Sequence, residues 1–337
     1  MKNLKKAIFC LTFILLLTAC KEQKKPIIAF YYWKTTFSLS EIDKKTLKDN
    51  NVKKLYIRYF DIDLDPISRE AFPQSPIQFN DKPSDFNIVP VLYLKNKVML
   101  SKSVTVQELA QKANNFVQQI NAKTGIACNE IQLDCDWTLA SKENYLKFIA
   151  CFKKISGKQL SATIRLHQIK YFKKTGVPDV DKGVLMYYNM GKIAPDSLNS
   201  IYDKSVADRY LKSIKKYPLL LNMALPIYSW AIHIRENKVM GLQSKIAFSN
   251  LQKDSNFVQI APNSFRVKNN NYKNGTFYKA NDILKIESVS NSDLLEMAED
   301  LHENVAHIPD EIIFYDLDEF NTKQYEKDIF TEVINRF

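Results

Sequence analysis

Short apolar runs alternate along this chain with longer stretches in which apolar residues recur every three or four positions. The first pattern reads as strands and the second as amphipathic helices. Strands are expected over 27–33, 54–60 and 88–94, in the run that opens at Ile131, and over 160–166, 183–189, 219–226 and 311–315. Helices are expected over 40–50 with a Ser40 cap, over 104–122, from a cap at Ser141, and over 205–215, 292–304 and 324–336. Residues 167–175 read as a short helical turn. The Pro-rich polar stretch 66–87 reads as a long loop with little regular structure.

Eight strands that mostly alternate with helices imply parallel strands joined by crossovers. Eight is also the number that closes a barrel, so the expected fold is α/β, a (β/α)8 TIM barrel. A doubly wound open sheet would carry a Gly-rich phosphate turn after an early strand, and the chain has none. Residues 230–288 break the alternation. They are polar and Asn/Lys-rich with short β-like runs, and read as a small insertion after strand seven within a barrel over 27–337.

The amino terminus has its own pattern. Lys2, Lys5 and Lys6 precede an apolar run over 7–17, and Leu17-Thr-Ala-Cys20 follows. Small residues ahead of a cysteine are the form of a bacterial lipobox. The expectation is a signal peptide over 1–19, lipidation at Cys20, and a polar tether over 20–26. That predicts export to the cell envelope and a lipid anchor in the outer membrane, on its periplasmic or surface face.

Cleavage lowers the formal charge from +11 to +8, because residues 1–19 hold three lysines and no acid. The remaining lysines are spread along the chain with no basic block interleaved with aromatics, which points away from nucleic acid. Cys128, Cys135 and Cys151 stay in the mature chain, either as one disulfide with a thiol or as three small core hydrophobes. Their spacing has no metal signature, and His302 and His307 lack a partner motif. Neither a metal nor a cofactor is expected.

Candidate chemistry gathers at the predicted strand ends, where barrels of this kind place their sites. Strand four ends in Asp134-Cys-Asp-Trp-Thr138, and side-chain alternation puts Asp134 and Asp136 on one face. These two are the candidate catalytic carboxylates. The other ends supply Trp33, Trp137, Arg165, Tyr188, Asn189, Tyr228, Trp230, Tyr315 and Asp316 as candidate substrate-binding residues. All three tryptophans fall just past a strand end. Aromatic platforms beside carboxylates and amides suit pyranose rings, whose apolar faces stack while their hydroxyls take directional hydrogen bonds. The expected partner is a carbohydrate.

The same residues resemble family 18 glycoside hydrolases, the chitinase-like barrels. Ala29-Phe-Tyr-Tyr-Trp33 is similar to their first strand, and Asp134-Cys-Asp-Trp-Thr138 to the end of their D-x-x-D-x-D-x-E signature. Met186-Tyr-Tyr-Asn189, Ala224-Leu-Pro-Ile-Tyr228 with Trp230, and Ile313-Phe-Tyr-Asp-Leu-Asp318 follow their strands six, seven and eight in order. An uncharacterised group of glycosidase-like bacterial barrels has similar features. The resemblance implies a carbohydrate site at the barrel rim and an insertion after strand seven.

One departure bears on activity. Thr138 stands where that family has the Glu that protonates the leaving oxygen, and a hydroxyl cannot act as a general acid near neutrality. The barrel is therefore expected either to bind a glycan or to hydrolyse it with other carboxylates, such as Asp134 with Asp136, or Asp316 or Asp61 across the rim. The alternative from a different class is a non-catalytic envelope scaffold using 230–288 as its contact surface. A glycan site calls for an open cleft with partly exposed tryptophans, whereas a scaffold calls for packed rings with no cavity above Asp134 and Asp136.

Overall fold

The computed structural model describes residues 25–337. The expected export signal and Cys20 lie outside the described residues. Eight strands run parallel: β1 (Ile27–Tyr32), β2 (Lys54–Leu64), β3 (Asn87–Leu94), β4 (Glu130–Asp134), β5 (Gln159–Arg165), β6 (Lys182–Met186), β7 (Leu221–Pro226) and β8 (Glu311–Tyr315). Each pairs with the next along the chain, and β1 pairs with both β2 and β8, which closes the ring. The chain is thus the (β/α)8 barrel that its strand–helix alternation predicts.

The principal outer helices are α1 (Glu41–Asp49), α2 (Val106–Thr124), α3 (Lys142–Ser156), α4 (Lys204–Ile214) and α5 (Asn291–Asn304). Reciprocal capping boxes, Ser40 with Asp43 and Ser290 with Asp293, start α1 and α5. Leu109, Ala113, Val117 and Ile120 form the buried stripe of α2, and Gly125 ends that helix in the left-handed region. Each such large side chain contributes roughly 1.5–3 kcal/mol on burial.

The barrel interior is only partly apolar. Toward the amino-terminal ends of the strands, Lys54 Nζ bonds both Glu130 Oε2 and Glu311 Oε1 at 2.7 Å, and the Tyr56 hydroxyl donates to Glu311 at 2.6 Å. One layer higher, the Tyr31 hydroxyl donates to Gln132 Oε1 at 2.7 Å. These groups satisfy one another, so an interior usually filled by branched aliphatics carries a polar plug here.

Several local readings differ from the structure. Strand two continues to Leu64, and Ala71–Gln74 returns antiparallel along it, so 66–87 is not simply loop. The acids that look like a strand end are neutralised in place, Asp61 by Arg58 and Asp63 by Lys95. Strand six stops at Met186, and Asn189 turns the chain out of the sheet with a φ of 55°. Ser141 precedes α3 but does not cap it, since its hydroxyl accepts from Thr138 N at 2.9 Å. The closing segment forms two short helices, Glu319–Thr322 capped by Asp318 and Ile329–Ile334, in place of one helix over 324–336.

After β7 the chain builds a five-stranded antiparallel sheet, in the order Lys238–Ser244, Trp230–Arg235, Ile283–Glu287, Ser264–Val267, Phe257–Ala261. One of its faces has a second core that includes Ala231, Phe257, Phe265, Tyr278 and Leu284. Cys128, Cys135 and Cys151 are free thiols, the first two buried.

Candidate functional site

The carboxyl ends of the barrel strands open onto a cleft of about 620 Å³. Trp33 follows β1, Asp134 ends β4, Arg165 ends β5, and Tyr188 and Asn189 follow β6. Tyr228 and Trp230 follow β7, while Tyr315 ends β8 with Asp316 next to it. All of these line the cleft. Leu242, Ser244 and Lys245 form part of its wall from the inserted sheet.

Tyr315 is the hub of the aromatic lining. Its ring stacks on Tyr188 with centroids 5.6 Å apart and meets Trp33 and Tyr228 edge-on, each at 5.6 Å. Tyr228 lies 5.3 Å from Trp230, and its hydroxyl donates to Asn189 Oδ1 at 2.5 Å. The left-handed turn at Asn189 aims that amide across the cleft edge. Trp33 and Trp230 are only partly buried. The buried Tyr188 hydroxyl has no partner among the described residues.

Asp134 sits on the floor, buried, accepting from Thr163 Oγ1 at 2.6 Å. Burial is the main force lifting its carboxyl to about 6; the nearby Arg165 opposes the rise and the Asp136 charge adds to it. Asp316 is also raised to about 6, first by burial and then by the Asp318 carboxylate, against the pull of Lys34 and Lys245. Asn321 Nδ2 donates to Asp316 Oδ1 at 2.6 Å. Asp318 is held low by Lys245 and Lys34, at 2.8 and 3.0 Å, which outweigh its own burial.

Two of the expected residues are placed otherwise. Asp136 does not line the cleft. β4 ends at Asp134, strict alternation no longer applies beyond it, and the half-exposed Asp136 carboxylate pairs with Arg165 Nε. Trp137 is not a ligand platform. It is 1% exposed, stacks on Tyr145 of α3 at 4.9 Å, and donates its indole N–H to Thr175 O at 3.0 Å. Together with buried Cys135 it packs in the layer between barrel and helices. Thr138 is exposed and Asp61 is tied to Arg58; neither lines the cleft.

The structure also adds residues absent from the sequence reading. Tyr93, one residue before the end of β3, follows the aromatic-at-strand-end rule and could have been found by it. Lys34 is one residue beyond Trp33, and Asp318, already part of the strand-eight motif, lines the cleft as well. Leu242 and Lys245 belong to the insertion, whose packing against the rim has no local signal. Among the described residues, no group of three or more His, Cys, Asp or Glu side chains is arranged to hold a metal ion. No helix among them is long and apolar enough to cross a membrane.

No protein-family model and no curated protein sequence matches the chain. Solved structures do. A family 18 chitinase from Cycas revoluta, crystallised with (GlcNAc)4, superposes with a TM-score of 0.52 at 12% identity, over 92% of this chain and 99% of that one. A chitinase-like agglutinin from Robinia pseudoacacia gives a TM-score of 0.51 at 12% identity, over 91% and 98%. At this identity the likeness speaks for the backbone arrangement alone. Closed ring, strand order and coverage agree on one architecture: the chain has the chitinase-like (β/α)8 fold.

Proposed function

We propose that the rim cleft binds a carbohydrate. The observation that carries this reading is the continuous aromatic wall of Trp33, Tyr315, Tyr228 and Trp230 standing over the Asp134 carboxyl and Arg165. Such a wall offers flat apolar faces to pyranose rings, and the floor offers donors and acceptors to their hydroxyls. A purely structural role would leave this cavity without a purpose. The Cycas chitinase was crystallised with (GlcNAc)4, which makes N-acetylglucosamine oligomers the first ligands to try. An agglutinin shares the fold, so binding without turnover is within its reach. The amino-terminal pattern adds export and a lipid anchor at Cys20, which would present the cleft at the cell envelope.

The test is a glycan array probed with the full-length protein, followed by calorimetric titration of the hits and of (GlcNAc)4. Binding that weakens in Trp33→Ala and Trp230→Ala is expected. No binding to any glycan would overturn the reading.

A further inference from the structure

The sequence resemblance sets Thr138 at the proton-donating position of chitinase-like barrels, and Thr138 is exposed and outside the cleft. Three carboxyls do line the cleft, Asp134 from one side and Asp316 with the lysine-paired Asp318 from the other. Asp134 ends β4 and Asp316 follows β8, and in a closed ring of eight strands these are four places apart, diametrically across the barrel. Tyr315, the last residue of β8, lines the same cleft. Its phenol is pushed up by burial and then by the charges of Asp316, Tyr228 and Asp134, so it feels carboxylates from both sides.

Their surroundings differ in kind. Thr163 donates to Asp134 and the Arg165 guanidinium is close, and both favour the ionised form of that carboxyl. Asp316 lies against the Asp318 carboxylate, which favours keeping its proton, while Asn321 fixes one of its oxygens. Retaining glycosidases need their two carboxyls about 5–5.5 Å apart, whereas inverting ones leave roughly 6.5–9.5 Å for a water. Groups held by diametrically opposite strands fit the wider spacing.

We infer that Asp316 and Asp134 are the acid and base of an inverting glycoside hydrolase. This rests on the carbohydrate reading above. Asp316 gives its proton to the glycosidic oxygen as the bond from the anomeric carbon breaks, and the bonding pair leaves with that oxygen as an alcohol. A water molecule attacks the opposite face of the anomeric carbon and passes its proton to Asp134. The product is a hemiacetal of inverted configuration, one water is consumed, and solvent exchange restores both carboxyls. Because both carboxyls are raised to about 6, each state is accessible near neutrality. The groups that tune this are Lys34, Lys245 and Asp318 around Asp316, and Arg165, Asp136, Thr163 and Asp61 around Asp134.

The full-length protein would be assayed with (GlcNAc)4 and with 4-nitrophenyl and 2,4-dinitrophenyl β-glycosides of N-acetylglucosamine, glucose, galactose, mannose and xylose. The first product released from a β-linked substrate should be the α-anomer by NMR, with a bell-shaped pH profile. Asp316→Asn should lose about 10²–10⁴-fold on unactivated substrates and far less on dinitrophenyl glycosides, whose leaving group needs no proton. Asp134→Asn should lose on both. A β-anomer as first product, or an Asp316→Asn enzyme as active as the parent, would overturn the assignment. So would an unvarying loss across leaving groups. The product anomer and the pH profile need no variant, so they decide even if a variant fails to fold. Glycan binding by the parent with no turnover of any substrate would overturn this inference and leave the carbohydrate reading standing; no binding at all would remove both.

Discussion

The indole N–H of Trp230 donates to Glu287 Oε2 at 2.9 Å, joining the first residue of the inserted sheet to the last. The two are also register partners across adjacent antiparallel strands. Glu287 is 2% exposed and lies 2.7 Å from Lys285 Nζ in an ion pair, while the Ser200 hydroxyl donates to it as well. One buried carboxylate therefore fixes the cleft's outer tryptophan where the insertion leaves and rejoins the barrel.

Removing that carboxylate should show in both stability and fluorescence. Glu287→Ala removes the nearer counter-charge of buried Lys285, leaving Asp196 Oδ1 at 3.5 Å and three backbone carbonyls that still accept from its ammonium. Breaking a buried pair from one side costs on the order of 3–5 kcal/mol, and those carbonyls favour the lower end. Urea unfolding reads the loss, and a red-shifted tryptophan emission reads the freed indole. Glu287→Gln, which can still accept from Trp230, should keep the emission of the parent.

The other two tryptophans should separate cleanly. Trp137→Ala empties a buried site against Tyr145 and should cost about 3–5 kcal/mol with no specific effect on ligand affinity in the folded fraction. Trp33→Ala removes a partly exposed ring whose neighbours are Tyr31, Tyr93 and Tyr315. It should cost only about 1 kcal/mol of stability and weaken carbohydrate binding about tenfold. Parallel urea melts and calorimetric titrations decide it. Equal stability losses would contradict the division of roles.

This contrast also marks where sequence reasoning worked. The barrel was legible because periodicities of 2 and 3.6 are imposed by burial, and each of the eight strands sits in a layer that buries it. The rim was mostly legible because residues just past a parallel strand have nowhere else to point. Trp137 is placed otherwise because β4 ends at Asp134 and the chain beyond it turns the indole against Tyr145 of α3, a contact that nothing local reports. Asp136 is placed otherwise for the same reason, since alternation does not carry past Asp134, where the strand ends. Nothing local reports that Lys54, Glu130 and Glu311 meet inside the barrel, because they are separated by 76 and 257 residues. Lys245 reaches Asp318 from 73 residues away and was equally silent.

The polar plug gives a prediction independent of any ligand. Lys54→Met should cost about 3–5 kcal/mol, because it leaves two carboxylates facing each other with no cation between them. Methionine fills the space, so the loss is electrostatic and not a cavity effect. Adding Glu130→Gln and Glu311→Gln removes the repulsion and should recover most of the loss. Urea melts of the single and triple variants check this. A triple variant no more stable than the single one would mean that packing, not charge, governs the layer.

Asp134 predicts how stability changes with pH. Its carboxyl is raised to about 6 in the folded protein against an ordinary 3.8, chiefly by burial. Between those values the folded chain keeps a proton that the unfolded chain has lost, so stability falls as pH rises through that window and then levels off. Below about pH 4 both states are protonated and the penalty is absent. Asp134→Asn cannot ionise. It should match the parent near pH 4 and exceed it above about pH 6, by as much as about 3 kcal/mol if the amide keeps the bond to Thr163. Asp316 keeps its own dependence, so the slope of the parent should be reduced and not abolished in the variant. Urea unfolding at about pH 4, 6 and 8 measures the difference. A variant less stable than the parent at about pH 8 would mean that Arg165 and Thr163 more than offset the cost of burying the charge. A carboxylate that destabilises the fold it sits in is what a site retained for binding or catalysis leaves behind, and the predicted gain from Asp134→Asn should come with a loss of cleft function.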